Sequence, residues 1–521
     1  MRTALLVLAA LVALPLARPA AAAEAAKRPN ILLIYTDDHS YKTVGCYPES
    51  YPWVRTPNID ALARRGVRFT HCYLGSWCMP SRATLLTGRH PHGIESMRME
   101  GEYPGSTYDP EQTPFWPAVF RARGYHTAQI GKWHTGTDTG FGRDWDYQIV
   151  WNRPKHPENA GNYYEQQILA INGVEQPEPQ GGYSTDNYTQ WACDYIRGEH
   201  RDNSKPWYLW LCYGAVHGPT TPADRHKGAY KDSEVPTPED IFPPRPGKPS
   251  YLDKTQSWLK GPGGEPVMAA SGEAFGDEAA KNRRTHAQWV RQVNECVLAL
   301  DEGIGKVMAA LAESDQLENT LVVFTADQGF SSGEHGFRTK LAPYDANYRS
   351  PLIVSQPGSI PEGKVCPQSI GGPDLVMTFF ARAGLELPWK MHGHYLAPLL
   401  ADPENALWPH PLLYEHLGRS YGSDTAKMLR DNPEGAVHSN VPWYVALRKG
   451  HFKYIRYLTP GEIEELYDLR ADPEELTNLA GRQDHAKHLA DFRQELAAEL
   501  RRTEAPFADA LPPVGRVSGL P

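Results

Sequence analysis

The stretch Asn30-Ile31-Leu32-Leu33-Ile34-Tyr35-Thr36 is apolar without alternation and closes on two carboxylates, Asp37-Asp38. A strand with one wet face would alternate polar and apolar residues, so this run predicts a strand covered on both faces. Residues 127–130, 207–213, 321–325 and 351–355 read the same way. Helical stretches lie between them. The clearest covers about 286–314, where Trp289, Val293, Val297, Leu300, Ile304, Val307 and Leu311 recur at three- and four-residue steps and share one face. Strands alternating with helices predict an α/β fold, with a large, mainly parallel sheet sandwiched by helices. From about residue 405 the pattern changes: 443–448 and 452–456 alternate like antiparallel strands, and a helix follows over about 484–503. Residues 405–521 are therefore expected to form a smaller C-terminal α+β subdomain containing a short antiparallel sheet. Within the main domain, 24–404, the segment 233–285 is broken by Pro236, Pro238, Pro243, Pro244, Pro246 and Pro249, and then by Gly261, Gly263 and Gly264. It reads as an irregular insertion, either a flexible surface loop or a rim controlling access to a site.

The N-terminus has the form of a targeting segment. Arg2 precedes an apolar run from Ala4 to Leu16, and Ala20 to Ala23 offer small-residue cleavage sites. Residues 1–23 are read as a signal peptide. The run is too short to span a bilayer, and no later stretch is long and apolar enough, so a protein exported to the periplasm or secreted, with no membrane span, is expected. The export machinery is then an obligatory partner. The formal charge of −9 becomes −11 once Arg2 and Arg18 are removed, which excludes a basic nucleic-acid footprint. Any attraction for an anionic substrate must come from locally placed cations. Seven cysteines are present. If Cys78 has a separate role, the other six permit at most one or two bridges, and their wide spacing fits no zinc pattern.

In α/β sheets, ligands sit beyond the carboxyl ends of the strands. The first strand ends in Asp37-Asp38, a pair that suits either a solvated cap or a shared cation. The strand 321–325 leads to Asp327-Gln328. Together these four residues offer only oxygen donors, which suits a hard cation such as Ca²⁺ or Mg²⁺. A third strand end carries Lys132 and His134, a positive charge and a group that can hold a proton near neutrality. His217 lies just past the strand 207–213, and Lys340 follows Gly333-Glu334-His335-Gly336-Phe337-Arg338-Thr339. Each of these also has a plain reading as a surface or structural residue, and His335 could either reach the site or brace its loop.

The stretch Cys78-Met79-Pro80-Ser81-Arg82, continued by Ala83-Thr84-Leu85-Leu86-Thr87-Gly88-Arg89, joins these pieces. Alone, a cysteine before Pro-Ser-Arg could be a buried thiol at a turn. The longer motif resembles the signature of the type I (formylglycine-dependent) sulfatases of the alkaline-phosphatase-like superfamily. The resemblance extends through Arg123-Gly124-Tyr125, Lys132-Trp133-His134 and Asp327-Gln328 to Glu465-Leu466-Tyr467-Asp468-Leu469. It implies that 24–404 is a catalytic sulfatase domain, and that Cys78 is oxidised to 3-oxoalanine (formylglycine) by a formylglycine-generating enzyme. It implies one Ca²⁺ per chain bound by Asp37, Asp38, the Cys78-derived residue, Asp327 and Gln328. It casts Arg82, Lys132, His134 and Lys340 as groups holding the nucleophile and sulfate, and His217 as general acid. Gln328 departs from the commoner Asn. The implied substrate is a sulfated small molecule or glycan, with Arg338, Tyr344, His416 and Arg419 as rim residues. Two other functions remain open from the sequence: a formylglycine-dependent phosphodiesterase or phosphonate monoester hydrolase, and a non-catalytic binder of sulfated glycans.

Overall fold

The computed structural model describes residues 28–100, 105–270, 272–273, 275–276 and 282–515. The expected signal peptide lies outside them. At the centre, Asn30–Thr36 pairs in parallel with Thr320–Ala326 on one side and Trp207–Cys212 on the other. His126–Trp133 and Tyr147–Asn152 extend the parallel set, and Leu169–Ile171 and Val174–Glu175 close that edge antiparallel. Beyond Thr320–Ala326, Ser350–Ser355 runs antiparallel to it and to Val67–Tyr73, which pairs in parallel with Lys364–Gly371. The result is a mixed, mostly parallel sheet of ten strands.

Both faces of this sheet are covered, as the unbroken apolar runs require. Leu32 and Ile34 face one core layer, built with helices Ser184–Ile196 and His286–Glu313. Ile31, Leu33 and Tyr35 face the other, built with Cys78–Thr87, Trp116–Ala122 and Gly372–Ala383. All seven apolar positions that defined the long helix are buried, and each contributes about 1.5–3 kcal/mol through apolar surface removed from water. Thr285 caps that helix with a reciprocal Thr–Gln capping box.

C-terminally, Leu412–His416, Tyr444–Lys449, Phe452–Tyr457 and Glu465–Asp468 form a four-stranded antiparallel sheet. Helix Ala486–Arg502 covers it through Leu489, Phe492, Leu496 and Leu500. A buried ionic joint ties this sheet to the main one: Lys453 meets Asp345, and lies 2.7 Å from Glu475. The segment 233–285 is not wholly irregular. It holds a short helix, Tyr251–Lys254, and a hairpin of Trp258–Lys260 with Pro266–Met268. Trp258 is buried, and its indole donates to the Phe337 carbonyl at 2.9 Å. All seven cysteines are free thiols, so the chain contains no bridge.

Candidate active site

Parallel pairing sets the carboxyl ends of the central strands at one edge, with Thr36 opposite Ala326 and Tyr35 opposite Cys212. The residues that follow must meet there. Asp37 and Asp38 leave the first strand, Asp327 and Gln328 the second, and His217 follows the third. Lys132 sits near the end of His126–Trp133. It is preceded by Gly131, whose φ of +109° and close approach to the Cys212 carbonyl leave no room for a Cβ.

Cys78 is the first residue of helix Cys78–Thr87, so its side chain stands at the positive end of that helix. Arg82 lies one turn on and shares its face. The Ser81 hydroxyl bonds the Asp327 carbonyl and lies 2.8 Å from Tyr35 Oη, locking the helix to the strand ends. The Arg82 guanidinium is wholly buried, 5.1 Å from the Tyr35 ring and 5.9 Å from Trp210, and donates to Asp37 at 2.9 Å and to the Lys132 carbonyl at 3.1 Å.

Cys78 Sγ lies 3.5 Å from Asp37 Oδ1 and 3.2 Å from Lys340 Nζ. Lys340 Nζ is 2.6 Å from Asp38 Oδ1, and Lys132 Nζ bonds Asp37 Oδ2. Burial, then Asp327 and Asp37, push the thiol up to about 12. The unmodified side chain therefore stays a neutral thiol at physiological pH, unlike the depressed thiols of cysteine nucleophiles. Burial pushes Asp37 up, but Lys132, His217 and Arg82 hold it well below the carboxylate range. Asp38 is raised, chiefly by burial. Asp327 is pushed up to about 7 by burial and by Asp37.

Asp37, Asp38, Cys78 and His217 bring ligand atoms within 4.8 Å of one another, a cluster able to hold a metal ion. Asp327 stands beside it, accepting from the Asp38 and Gln328 amides at 3.0 Å each. Gln328 Nε2 bonds Asp38, leaving Gln328 Oε1 buried without a partner. An orphaned amide oxygen among converging carboxylates is a donor set for a hard cation.

His217 donates from Nδ1 to the Gly218 carbonyl at 2.7 Å, which turns Nε2 toward Asp38 Oδ2, 3.5 Å away. Its ring stacks on Tyr163 at 3.9 Å. His134 is buried 3.2 Å from Arg153. Burial, then Arg153 and Lys132, hold its imidazole well below 6.5. Tyr163 and Arg153 are site residues that carry no motif. Lys132 Nζ lies 5.0 Å and the Arg153 guanidinium 4.7 Å from the Tyr163 ring. Only the fold reveals that this tyrosine holds three of the polar groups.

Above the cluster opens a cavity of about 600 Å³, lined by Asp38, His217 and Lys340 at its floor, by Met268, Trp289 and Phe330 on an apolar wall, and by Arg283, Arg284 and Arg338. The 233–285 segment thus supplies part of the wall. Of the four expected rim residues, Arg338 lines the cavity and Arg419 is exposed. Tyr344 and His416 do not fit that role: both are fully buried, Tyr344 bonded to Glu465 at 3.1 Å and His416 to Ser76 at 3.0 Å. Packing of the C-terminal sheet against the main body covers them. His335 braces its loop instead of reaching the cluster. Its amide donates to Asp240 at 2.8 Å and its ring lies 4.0 Å from that of Tyr344.

The sulfatase family model matches residues 29–385, and a model described as N-sulphoglucosamine sulphohydrolase, C-terminal, matches 333–503. The N-acetylglucosamine-6-O-sulfatase of Bacteroides thetaiotaomicron is 29% identical over 553 residues, covering 97% of this chain and 91% of its own. The solved structure of BT4656 in complex with its substrate D-glucosamine-2-N,6-O-disulfate superposes with a TM-score of 0.77 at 26% identity, over 93% of this chain and 100% of that one. The phosphonate monoester hydrolase of Silicibacter pomeroyi shares the fold, with a TM-score of 0.69 at 20% identity over 92% and 96% of the two chains. With the cysteine motif, the oxygen-donor cluster and the lysines converging at one sheet edge, and a family model that takes in well over half the sequence, this chain belongs to the sulfatase family and is a sulfuric ester hydrolase.

Proposed function

We propose that the protein is an exported sulfatase that removes a sulfate ester from a sulfated carbohydrate, with residue 78 acting as formylglycine and a bound Ca²⁺. The carrying observation is the setting of Cys78: a protonated thiol at a helix N-terminus, flanked by Asp37 and Lys340, beside an oxygen-rich cluster with an orphaned Gln328 Oε1. A neutral thiol is a poor nucleophile for sulfur. Oxidised to formylglycine and hydrated, residue 78 supplies an attacking oxygen, and a second hydroxyl through which sulfate is expelled as the aldehyde reforms. Asp37, Asp38, Asp327 and Gln328 would hold the cation. When bound, it supplies positive charge beside the nucleophile and the sulfuryl oxygens.

The chain's own residues do the rest. Arg82, fixed by Tyr35, Trp210 and Asp37, orients residue 78 and keeps Asp37 ionised. Lys132 brings its ammonium group to Asp37 and Lys340 brings its own to Asp38 and residue 78, where charge on sulfuryl oxygens grows during transfer. His217 gives its Nδ1 proton to the Gly218 carbonyl, and burial and Lys340 hold it well below its ordinary 6.5, so its bare Nε2 takes the proton released by the attacking hydroxyl and passes it to the departing alcohol. His134, kept neutral by burial and Arg153, accepts the proton released as sulfate leaves. The first substrates to try are 6-O-sulfated glucosamines, since two of the similar proteins bear such names.

Peptide mass spectrometry of protein from its native host tests this reading. Conversion of Cys78 lowers the peptide mass by about 18 Da. Converted protein should hydrolyse an aryl sulfate, and Cys78→Ala should not. A thiol persisting in active protein refutes the mechanism. Faster turnover of aryl phosphate diesters than of aryl sulfates would favour the phosphonate-hydrolase-like chemistry that the same fold supports.

A further inference from the structure

Arg283, Arg284 and Arg338 all line the cavity above the catalytic cluster, but they are not equivalent. Arg283 is spoken for: it pairs with Glu273 and donates to the Met268 carbonyl at 2.9 Å. Arg284 and Arg338 have no carboxylate or hydrogen-bond acceptor among the described residues. Arg338 is half-buried, and burial together with the neighbouring Arg284 lowers its pKa. Arg284 is exposed, and among the described residues neither guanidinium is paired, so an anion entering the cavity meets two open cations on one wall. Arg338 is also a junction. A second cavity of about 640 Å³ shares Ala269, Ala270, Arg338, Thr339 and Lys340 with the first, and adds Gln256, Ser257, Ser439 and Asn440, side chains suited to sugar hydroxyls.

We propose that Arg338 and Arg284 form a second anion subsite, which reads a carboxylate or sulfate on the same glycan whose ester is cleaved, while the glycan continues into the second cavity. The proposal rests on the sulfatase reading of the site and adds the substrate class: an oligosaccharide carrying an extra negative group within about one sugar of the scissile ester. The spacing follows from the chain. Lys340 touches residue 78, and Arg338, two residues before it, lines the same cavity. Guanidinium suits this task because its planar fork takes two anionic oxygens at once. The wall residues Arg283, Arg284 and Met268 come from the segment that no motif identifies.

A matched substrate set tests this: 6-sulfated N-acetylglucosamine, its N-sulfated counterpart, and the 6-sulfated N-acetylglucosamine linked to a uronic acid. The wild-type holoenzyme should favour at least one of the two substrates with the added anion, by roughly ten- to a hundredfold in kcat/KM, expressed mainly through KM. Arg338→Gln, and the double variant with Arg284→Gln, should draw that ratio toward one, while Arg338→Lys should keep part of it. Equal kcat/KM across the set in the wild type, or a preference that survives both variants, overturns the proposal. Calorimetric binding of the same sugars to Cys78→Ala separates the subsite from the chemistry. An affinity ratio that follows Arg338 upholds the subsite even if the wild type turned over none of them, an outcome that would sink the catalytic reading instead.

Discussion

Replacing Lys340 with methionine keeps most of the stem and deletes the charge. Lys340 Nζ sits 2.6 Å from Asp38 and 3.2 Å from Cys78 Sγ, and its side chain is 16% exposed. Burial pulls its pKa down, but the carboxylates, Asp38 foremost and then Asp37, raise it by more, so the ammonium stays charged. A unit charge about 4 Å from charge developing on a sulfuryl oxygen is worth about 4 kcal/mol at an effective dielectric constant near 20. Removing one preorganised donor from an anionic transition state usually costs about 2.7–4 kcal/mol. Lys132 and Arg82 stay in place, and partial solvent access lets water replace some of the lost charge. The expected loss in kcat is therefore about 10²–10³, with a rise in KM as well, because the same ammonium meets the ground-state sulfate. The assay is steady-state hydrolysis of an aryl sulfate, using protein whose Cys78 conversion has been verified by mass, with thermal melting to confirm folding. A folded, converted Lys340→Met enzyme within about threefold of wild-type kcat/KM would refute the placement of Lys340 at the sulfate.

His217→Ala should cost about 10²–10⁴ on an alkyl or sugar sulfate, and far less on a nitrophenyl sulfate, whose leaving group needs no proton; equal losses on both would exclude it as the general acid. Excess chelator should abolish turnover and lower the thermal midpoint, with Ca²⁺ restoring both, since a ligand at a hundred times its Kd stabilises the native state by about 2.7 kcal/mol; a midpoint indifferent to chelator and calcium would remove the cation from the account. Burial pushes Glu334 up, but Lys42 and the surrounding donors hold its carboxyl at about 2, below its ordinary 4.5. Being depressed, it contributes stability above pH 4.5 and loses it as pH falls toward 2, on the order of 3 kcal/mol in all. In urea titrations, Glu334→Gln should be less stable than wild type at pH 7 and approach it near pH 2–3; a gap that persists in acid contradicts the pairing with Lys42.

The central strands were legible because burial on both faces leaves no alternation to hide: Asn30–Thr36, Trp207–Cys212 and Thr320–Ala326 need Val, Ile, Leu and aromatic residues throughout. Val67–Tyr73 escaped notice for the opposite reason. Arg68, Thr70 and His71 interrupt it, since this strand lies toward the sheet margin and is only partly covered. The site divides along the same line. Asp37, Asp38, Cys78, Lys132 and His217 sit at or shortly after strand and helix ends, where a sequence reader looks; parallel pairing brings the strand ends together, while Ser81 locks the helix of Cys78 to them and Lys340 arrives on the loop after Glu334–Gly336. Tyr163, Arg153, Arg284, Met268 and Phe330 arrive from loops and an insertion whose paths are set by packing. Tyr344 and His416 show the converse error. Aromatic and imidazole side chains near the site in sequence look like rim residues until a second sheet closes over them. A motif reports the chemistry applied to the sulfate, which every enzyme with that chemistry must share, whereas the alcohol it decorates is read by surfaces free to vary. The substrate of this chain is therefore to be sought at Arg284 and Arg338 on its cavity wall, where the sequence carries no signature and where, among the described residues, neither guanidinium has an anionic partner.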